Sequence, residues 1–431
     1  MRFPAELPVT IPRRWAWTIG VGVALLAALL VWLLLAGRSA ARSVGEPPPG
    51  LAAAQERRLM GPVPLRTTTA LVPAAASVEP ARGVDEYEVC GGQWVKANAE
   101  GVPDEADMKR AIRRDEAARA VDRALAADPR PVAQAARLIL QAADGDDDRR
   151  RASMAASSES LARFAATTSD PAVYAFAYRM CGSGRLRDGA CGMLSAEQWA
   201  RIDPGNAAPW QEVFAAAQAR QDGSAANEAL HRIATSQRSD QRFFQLPGLV
   251  VEAAPPDDGL RNGVFMLTVE AIGIQAAWSL PAYQPLVSAC KREALRDSNR
   301  RQTCESIADL LAEKSDTLIE RMIGGAVGRQ LGWPEERIER MRAELQAFAN
   351  SGYAGIQPRE AMGCEALKRM NDDVRNKARL GEVGAMREWL AHEAPPSDEL
   401  LRRHRAQQRV VAEESKAIAV MRAASAASTP G

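Results

Sequence analysis

The sequence has little of the chemistry that metal and cofactor sites usually require. It contains only three histidines, His231, His392 and His404, and they are too far apart in sequence to form a metal-binding motif. No HExxH pair, no phosphate-binding glycine loop and no G-x-S-x-G nucleophile elbow occurs. We therefore predict neither a metal nor a cofactor. Catalytic triads need no fixed spacing, so the missing motifs exclude only some enzyme classes.

The sequence also lacks an excess of charge of either sign. Its 55 basic and 54 acidic residues give a formal net charge of +1. Proteins that bind nucleic acid usually concentrate positive charge, because the phosphate backbone supplies most of the binding energy. We therefore predict no nucleic-acid partner.

Charged side chains are absent from one long stretch, which runs from Trp15 to Ala36. A helix of this length spans about 33 Å, which matches a hydrocarbon core of about 30 Å. The stretch is longer than the apolar region of a cleaved secretory signal, so it predicts a single transmembrane helix. Small residues at Ala40 and Ala41 leave cleavage open as an alternative. With this helix as an anchor, residues 1–14 are predicted to lie in the cytoplasm.

The stretch that follows the anchor, residues 37–84, is rich in proline, alanine and glycine. It lacks the apolar periodicity that would offset the entropy of ordering the chain, and proline stiffens such segments. We predict a disordered linker that holds the folded region away from the membrane.

All six cysteines lie beyond the anchor, and an even number in an oxidising compartment indicates disulfides. Two pairs close short loops, Cys181–Cys191 and Cys290–Cys304, which leaves Cys90 to pair with Cys364. A redox-active thiol is the alternative for Cys90, but the sequence has no CxxC pair to favour it.

The orientation of the anchor follows from two features. Three arginines precede the anchor and two follow it closely, which slightly favours a cytoplasmic amino terminus. The cysteines favour the same arrangement, because disulfides persist outside the cytoplasm. Arginine exceeds lysine and alanine is abundant, as is common in GC-rich bacterial genomes. We therefore predict a single-pass protein of the bacterial inner membrane with a periplasmic domain.

From Pro103 onward the apolar residues follow helical spacing, so the expected fold is an all-α solenoid or bundle of helical hairpins. Helices are expected over residues 105–127 and, at the end of the chain, over residues 397–424. Asp-Pro pairs recur with their aspartates at 128, 170 and 203, which matches the length of one helix-turn-helix unit. We divide the region into hairpins at 85–240, a continuing helical core at 241–395, and a C-terminal amphipathic helix with a disordered tail at 396–431. That last helix either caps the domain or offers a face to a partner.

The unit from Asn206 to Gln237 resembles a tetratricopeptide repeat. The residues that match the spacing of large and small positions in that family are Trp210, Val213, Ala217, Ala226, Leu230 and Ile233. Phe214 stands where the family has a small residue, and Arg238 replaces its closing proline. The resemblance implies a scaffold that binds another protein.

One enzymatic resemblance provides an alternative. Glu305 followed by Ser306 matches the catalytic dipeptide of the lytic transglycosylases, and residues 351–357 are similar to the glycine-rich stretch of that family. In the family this stretch lies close to the glutamate, whereas here it lies far downstream. The main prediction is a membrane-anchored periplasmic scaffold without catalysis that binds a protein of the cell envelope. The alternatives are a peptidoglycan-acting enzyme that uses Glu305 and a disulfide-stapled folding factor. The sequence predicts no oligomeric state.

Overall fold

The computed structural model describes residues 86–97, 103–142, 147–183, 188–278, 280–351 and 360–427. The predicted anchor at 15–36 and the predicted linker at 37–84 lie outside these residues. None of the helices within them has the length and apolar character needed to cross a membrane. The described residues belong to one contiguous unit that spans Val84–Gly431.

The unit begins with a two-stranded antiparallel hairpin, β1 (Glu86–Val89) and β2 (Gln93–Lys96), in which Val89 pairs with Gln93. The rest of the described chain is almost entirely helical, as the periodicity predicts. The first eight helices are α1 (Glu105–Ile112), α2 (Arg114–Ala127), α3 (Pro131–Gln141), α4 (Asp147–Ala166), α5 (Pro171–Ser183), α6 (Ala196–Ile202), α7 (Ala207–Ala219) and α8 (Gly223–Thr235). The next eight are α9 (Gln245–Glu252), α10 (Arg261–Ala277), α11 (Tyr283–Ala289), α12 (Ser298–Glu313), α13 (Leu318–Leu331), α14 (Glu335–Ser351), α15 (Cys364–His392) and α16 (Ser397–Ala427).

The single helix predicted over residues 105–127 is wrong, because the chain breaks at Arg113 into α1 and α2. Arg113 takes a left-handed backbone conformation with φ of 52°. Gly263 of α10 lies against this break, where an added Cβ would come within 3.0 Å of the carbonyl oxygens of Ile112 and Arg113. The break therefore lies where α10 packs most closely against the first two helices.

Two of the Asp-Pro pairs differ in whether a helix begins at the proline. Helix α5 begins at Pro171, and the side chain of Asp170 accepts a hydrogen bond from the backbone nitrogen of Ala172 at 2.8 Å. The third Asp-Pro pair does not start a helix. Helix α7 begins three residues later, where Asn206 accepts a hydrogen bond from Ala208 N at 3.0 Å.

Neighbouring helices pack as hairpins, but helices far apart in sequence also meet. Helices α7 and α8 pack together, as do α12 and α13, while α10 packs on α2, α8 on α12, and α15 on α9. The largest apolar cluster joins α2, α3, α5, α9 and α10 around Phe176 and Leu246. A second cluster joins α7 and α8 to α12 through Phe214, Leu230 and Ile307. The later helices therefore fold back onto the earlier ones.

Three disulfides link the unit, and they join the pairs expected from the sequence. Cys181–Cys191 and Cys290–Cys304 are separated by 10 and 14 residues, whereas Cys90–Cys364 spans 274 residues. The long-range bond ties the loop of the β hairpin to the first residue of α15. The backbone nitrogen of Cys90 also donates to the carbonyl of Met362 at 3.0 Å. The beginning and the later part of the unit are thus joined covalently.

Removal of the long-range disulfide should destabilise the unit more than removal of a short one. Chain entropy predicts a loss of about 5 kcal/mol for the Cys90→Ala, Cys364→Ala variant and about 2.5 kcal/mol for the matched Cys181→Ala, Cys191→Ala variant. The free energy of unfolding tests this order when it is measured in urea for the wild type and for both variants, with the remaining disulfides oxidised. A larger loss from the short disulfide would contradict it.

Candidate functional site

Two chain segments meet at the centre of the unit and form what we call the polar joint. It consists of residues 239–242, residues 315–317 and the side chains of Gln211, Tyr283 and Glu320. The backbone nitrogen of Ser239 donates to the carbonyl of Lys314 at 3.0 Å, and Asp316 N donates to the carbonyl of Ser239 at 2.9 Å. These bonds hold the loop between α8 and α9 against the loop between α12 and α13.

Asp316 connects its own loop to two other segments of the chain. Its two carboxylate oxygens accept hydrogen bonds from the backbone nitrogens of Gln241 at 2.8 Å and Arg242 at 2.7 Å. Its backbone carbonyl accepts a hydrogen bond from Glu382 N in α15 at 2.6 Å. One residue therefore connects the α8–α9 loop, the α12–α13 loop and the middle of α15.

The approach of α15 depends on Gly381, which interrupts that helix with φ of 71° and ψ of 167°. A Cβ at this position would lie 2.7 Å from the Cα of Asp316. The adjoining Glu382 side chain accepts a hydrogen bond from Leu318 N at 3.1 Å, so it helps to cap α13. Glycine is needed here for both its conformation and its lack of a side chain.

Glu320 of α13 is the fully buried carboxyl group of the joint. Its Oε1 accepts hydrogen bonds from Gln241 Nε2 at 2.7 Å, Gln211 Nε2 at 2.9 Å, Ser239 Oγ at 3.0 Å and Tyr283 OH at 3.3 Å. Its Oε2 is buried and has no hydrogen-bond partner among the described residues. Burial raises the pKa of Glu320, although these donors act in the opposite direction. Burial also raises the pKa of Tyr283 well above its usual range.

Arginines surround the joint on the side of the earlier helices. Asp203, at the end of α6, accepts hydrogen bonds from Arg238 and, at 3.1 Å, from Arg242. Arg179 of α5 is paired with Glu212 at 2.7 Å and stacks on the ring of Trp199 at 5.4 Å. Ion pairs and hydrogen bonds therefore connect the joint from α5 to α15.

A small cavity of about 10 Å³ lies beside this network, lined by Arg179, Gln241, Phe243, Gln275 and Trp278, with Leu280 at its edge. Gln275 Oε1 and Trp278 Nε1 are buried and lack a hydrogen-bond partner among the described residues. A cavity of this volume holds about one water molecule, which could bridge such a donor and acceptor. The space does not suit a larger ligand unless the surrounding helices move.

The outer part of α16, residues 406–418, is a second candidate site. The first turns of α16 pack on α14 through buried Leu400 and Leu401, and Arg405 pairs with Glu339. Beyond Arg405, every side chain that the structure describes is exposed. These include Val410, Val411 and Ile418, which are 47%, 37% and 46% exposed.

Glu305, the alternative catalytic residue, lies on the outer face of α12. Its side chain is 51% exposed, and its carboxylate is 3.9 Å from Arg301 on the same helix. Ser306 is also exposed, and residues 352–357 of the similar glycine-rich stretch lie outside the described part. The neighbouring Cys304 is buried in its disulfide.

The three histidines do not converge on any site. His231 and His392 are exposed, and Nδ1 of His404 lies 2.7 Å from Oε1 of Gln346. Burial and the nearby charge of Arg342 lower the pKa of His404. Within the described ranges, no group of three or more His, Cys, Asp or Glu residues could hold a metal ion.

Comparison of the chain with protein-family models, with curated proteins and with solved structures finds no match. The resemblance of residues 206–237 to a tetratricopeptide repeat therefore stays a prediction. In the structure, Val213, Ala217, Leu230 and Ile233 are buried, but so is Phe214, which departs from the family pattern.

The Gly381→Ala substitution should disrupt the polar joint. A side chain would strain a backbone conformation that only glycine adopts readily and would collide with Asp316, so we expect a loss of at least about 2–3 kcal/mol. Urea unfolding measures this loss.

Gly273→Ala provides the matched control, because Gly273 lies within α10 with open space around its Cα. There alanine should be neutral or stabilising by up to about 1 kcal/mol. Equal stabilities of the two variants would show that the close contact between α15 and Asp316 does not constrain the fold.

Proposed function

We propose that this protein is a membrane-anchored helical scaffold of the bacterial cell envelope that binds another protein without catalysing a reaction. In this proposal the stretch from Trp15 to Ala36 is the anchor, with its amino terminus in the cytoplasm, and the helical unit lies in the periplasm. The TPR-like hairpins and helices that follow form the body of the scaffold. Three disulfides support the oxidising compartment.

The observation that carries the proposal is the exposure of the outer part of α16. Isolated helices gain little stability in water, and most helices depend on burying an apolar face. Val411 and Ile418 are seven residues apart and therefore lie on the same side of the helix. Helices that insert into a groove of a partner present apolar residues at this spacing. The outer part of α16 is therefore the surface that we assign to the partner.

The buried acids support binding over catalysis by this unit. Glu320 has no exposed surface, so its carboxyl cannot contact a substrate without rearrangement of several helices. Glu305 is accessible, but it lies on an exposed helix face beside Arg301. A general acid usually requires a partly enclosed environment that tunes its pKa.

Replacement of Val411 and Ile418 by glutamate should abolish binding of the partner. Each apolar side chain buried in a groove contributes about 1.5–3 kcal/mol, so the double variant should lose at least about 100-fold in affinity. A photo-crosslinking amino acid at Ser415 of the full-length chain, which lies one turn from Val411 on the same side of α16, tests this effect when the chain is expressed in its own host. The wild-type background should give one defined crosslinked product, identified by mass spectrometry, and the double variant should lose it.

Lys416→Glu provides the control, because it adds the same side chain on the opposite face of α16. This variant should keep the product, and neither variant should change thermal unfolding, because the substituted side chains are exposed. The proposal is contradicted if the product persists in the double variant or if no product forms. A product that contains only two copies of this chain would show that α16 binds a second copy of the chain and not a different protein.

A further inference from the structure

Two carboxyl groups lie side by side within the polar joint. The backbone nitrogen of Arg242 donates both to Asp316 Oδ2 at 2.7 Å and to Asp240 Oδ1 at 3.0 Å, so these oxygens converge on one hydrogen. Two ionised carboxylates this close together repel each other, and neither has a hydrogen to donate to the other. A proton on one of them would replace this repulsion by a hydrogen bond.

The charges around the pair favour retention of that proton. Charged and titratable groups from several elements face the pair or its immediate partners. From the earlier helices and the α8–α9 loop these are Arg179 of α5, Asp203 at the end of α6, Glu212 of α7, Arg238 and Arg242. From the later helices they are Tyr283 of α11, Glu320 of α13, and Lys377 and Glu382 of α15. In the part of the network from α5 to α13, three arginines face five carboxyl groups. The arginines are Arg179, Arg238 and Arg242, and the carboxyl groups are those of Asp203, Glu212, Asp240, Asp316 and Glu320. Protonation of one carboxyl reduces this excess of negative charge.

The two partners of the pair are not equivalent. Oδ2 of Asp240 lies 3.7 Å from Arg242 and 3.9 Å from Arg238, so two cationic side chains face its carboxyl. Among the described residues no arginine forms a salt bridge with Asp316, and its two backbone donors only partly offset a negative charge there. The proton is therefore best placed on Asp316, which donates it to Asp240.

We propose that Asp240 and Asp316 share one proton at neutral pH, and that this proton holds the α8–α9 loop against the α12–α13 loop. Loss of the proton places two negative charges at the contact and loosens the joint, whereas acid strengthens it. The inference is independent of the proposed partner of α16, because it concerns the cohesion of the helical unit.

The direction of the pKa shift agrees with this geometry. Burial raises the pKa of Asp316 well above its ordinary value of 3.8, and the charges of Asp240 and Glu320 raise it further. A group whose pKa is higher in the folded state contributes stability that is fully present below the unfolded pKa and is lost as the pH rises through the folded pKa. The unit should therefore become less stable as the pH rises from about 4 toward the folded pKa of the pair.

Asp240→Asn tests the proposal, because an amide hydrogen of asparagine can donate to the Asp316 carboxylate and replace the shared proton. In urea unfolding of the full-length chain between pH 5 and 8, one linked proton changes the unfolding constant by up to tenfold per pH unit. The stability of the wild type should fall with rising pH. In Asp240→Asn, the slope of the logarithm of the unfolding constant against pH should be smaller by about one proton. Asp372→Asn removes an exposed carboxyl on α15 and should keep the slope of the wild type.

Infrared difference spectra at neutral pH provide a second measurement that does not depend on unfolding. The absorption of a protonated carboxyl should be weaker in Asp240→Asn than in the wild type by the equivalent of one group. The proposal is wrong if Asp240→Asn keeps both the slope and the absorption of the wild type, or if stability of the wild type does not fall with rising pH across this range.

Discussion

Asp316 is the residue on which the arrangement of the helices depends most directly. Its carboxyl group binds the loop after α8, its backbone carbonyl binds α15, and the residue itself lies two positions before the start of α13. Because these three segments come from distant parts of the chain, no pair of neighbouring helices could establish their arrangement alone. The disulfide between Cys90 and Cys364 provides a covalent counterpart, since it joins the first strands to the start of α15. Together they connect the early helices with the late ones.

A centre built from charged groups needs a physical justification, because burial of a carboxylate costs several kcal/mol unless other groups compensate for the lost water. Glu320 obtains this compensation from four donors, and Asp203 obtains it from two arginines and Asn206. Apolar packing tolerates many arrangements of similar energy, whereas such a network is satisfied only in one. We infer that the network selects the register in which α7, α8, α12 and α13 pack, at some expense in stability.

Sequence signals were sufficient to predict the all-α fold and the cysteine pairs, because helical periodicity depends on residues close in sequence and the pairs follow from proximity and elimination among six cysteines. The break at Arg113 was missed, since arginine has no preference for a left-handed conformation and the cause lies in the contact with Gly263. The polar joint was missed for the same reason. Gln211, Asp240, Tyr283 and Glu320 are separated by many residues, and each has the side chain of an ordinary exposed position.

The centre and the C-terminal helix of this unit have opposite physical character. In the polar joint most side chains form hydrogen bonds or ion pairs, although Glu320 Oε2 and Arg242 Nε have no partner among the described residues, and the adjoining cavity admits about one water molecule. Along the outer part of α16, by contrast, apolar side chains face solvent, and every described side chain beyond Arg405 is exposed. Exposed valine and isoleucine on one side of a helix lose the burial that would stabilise it in water. Under the proposed function, a partner would supply the apolar contact that this face of α16 lacks among the described residues.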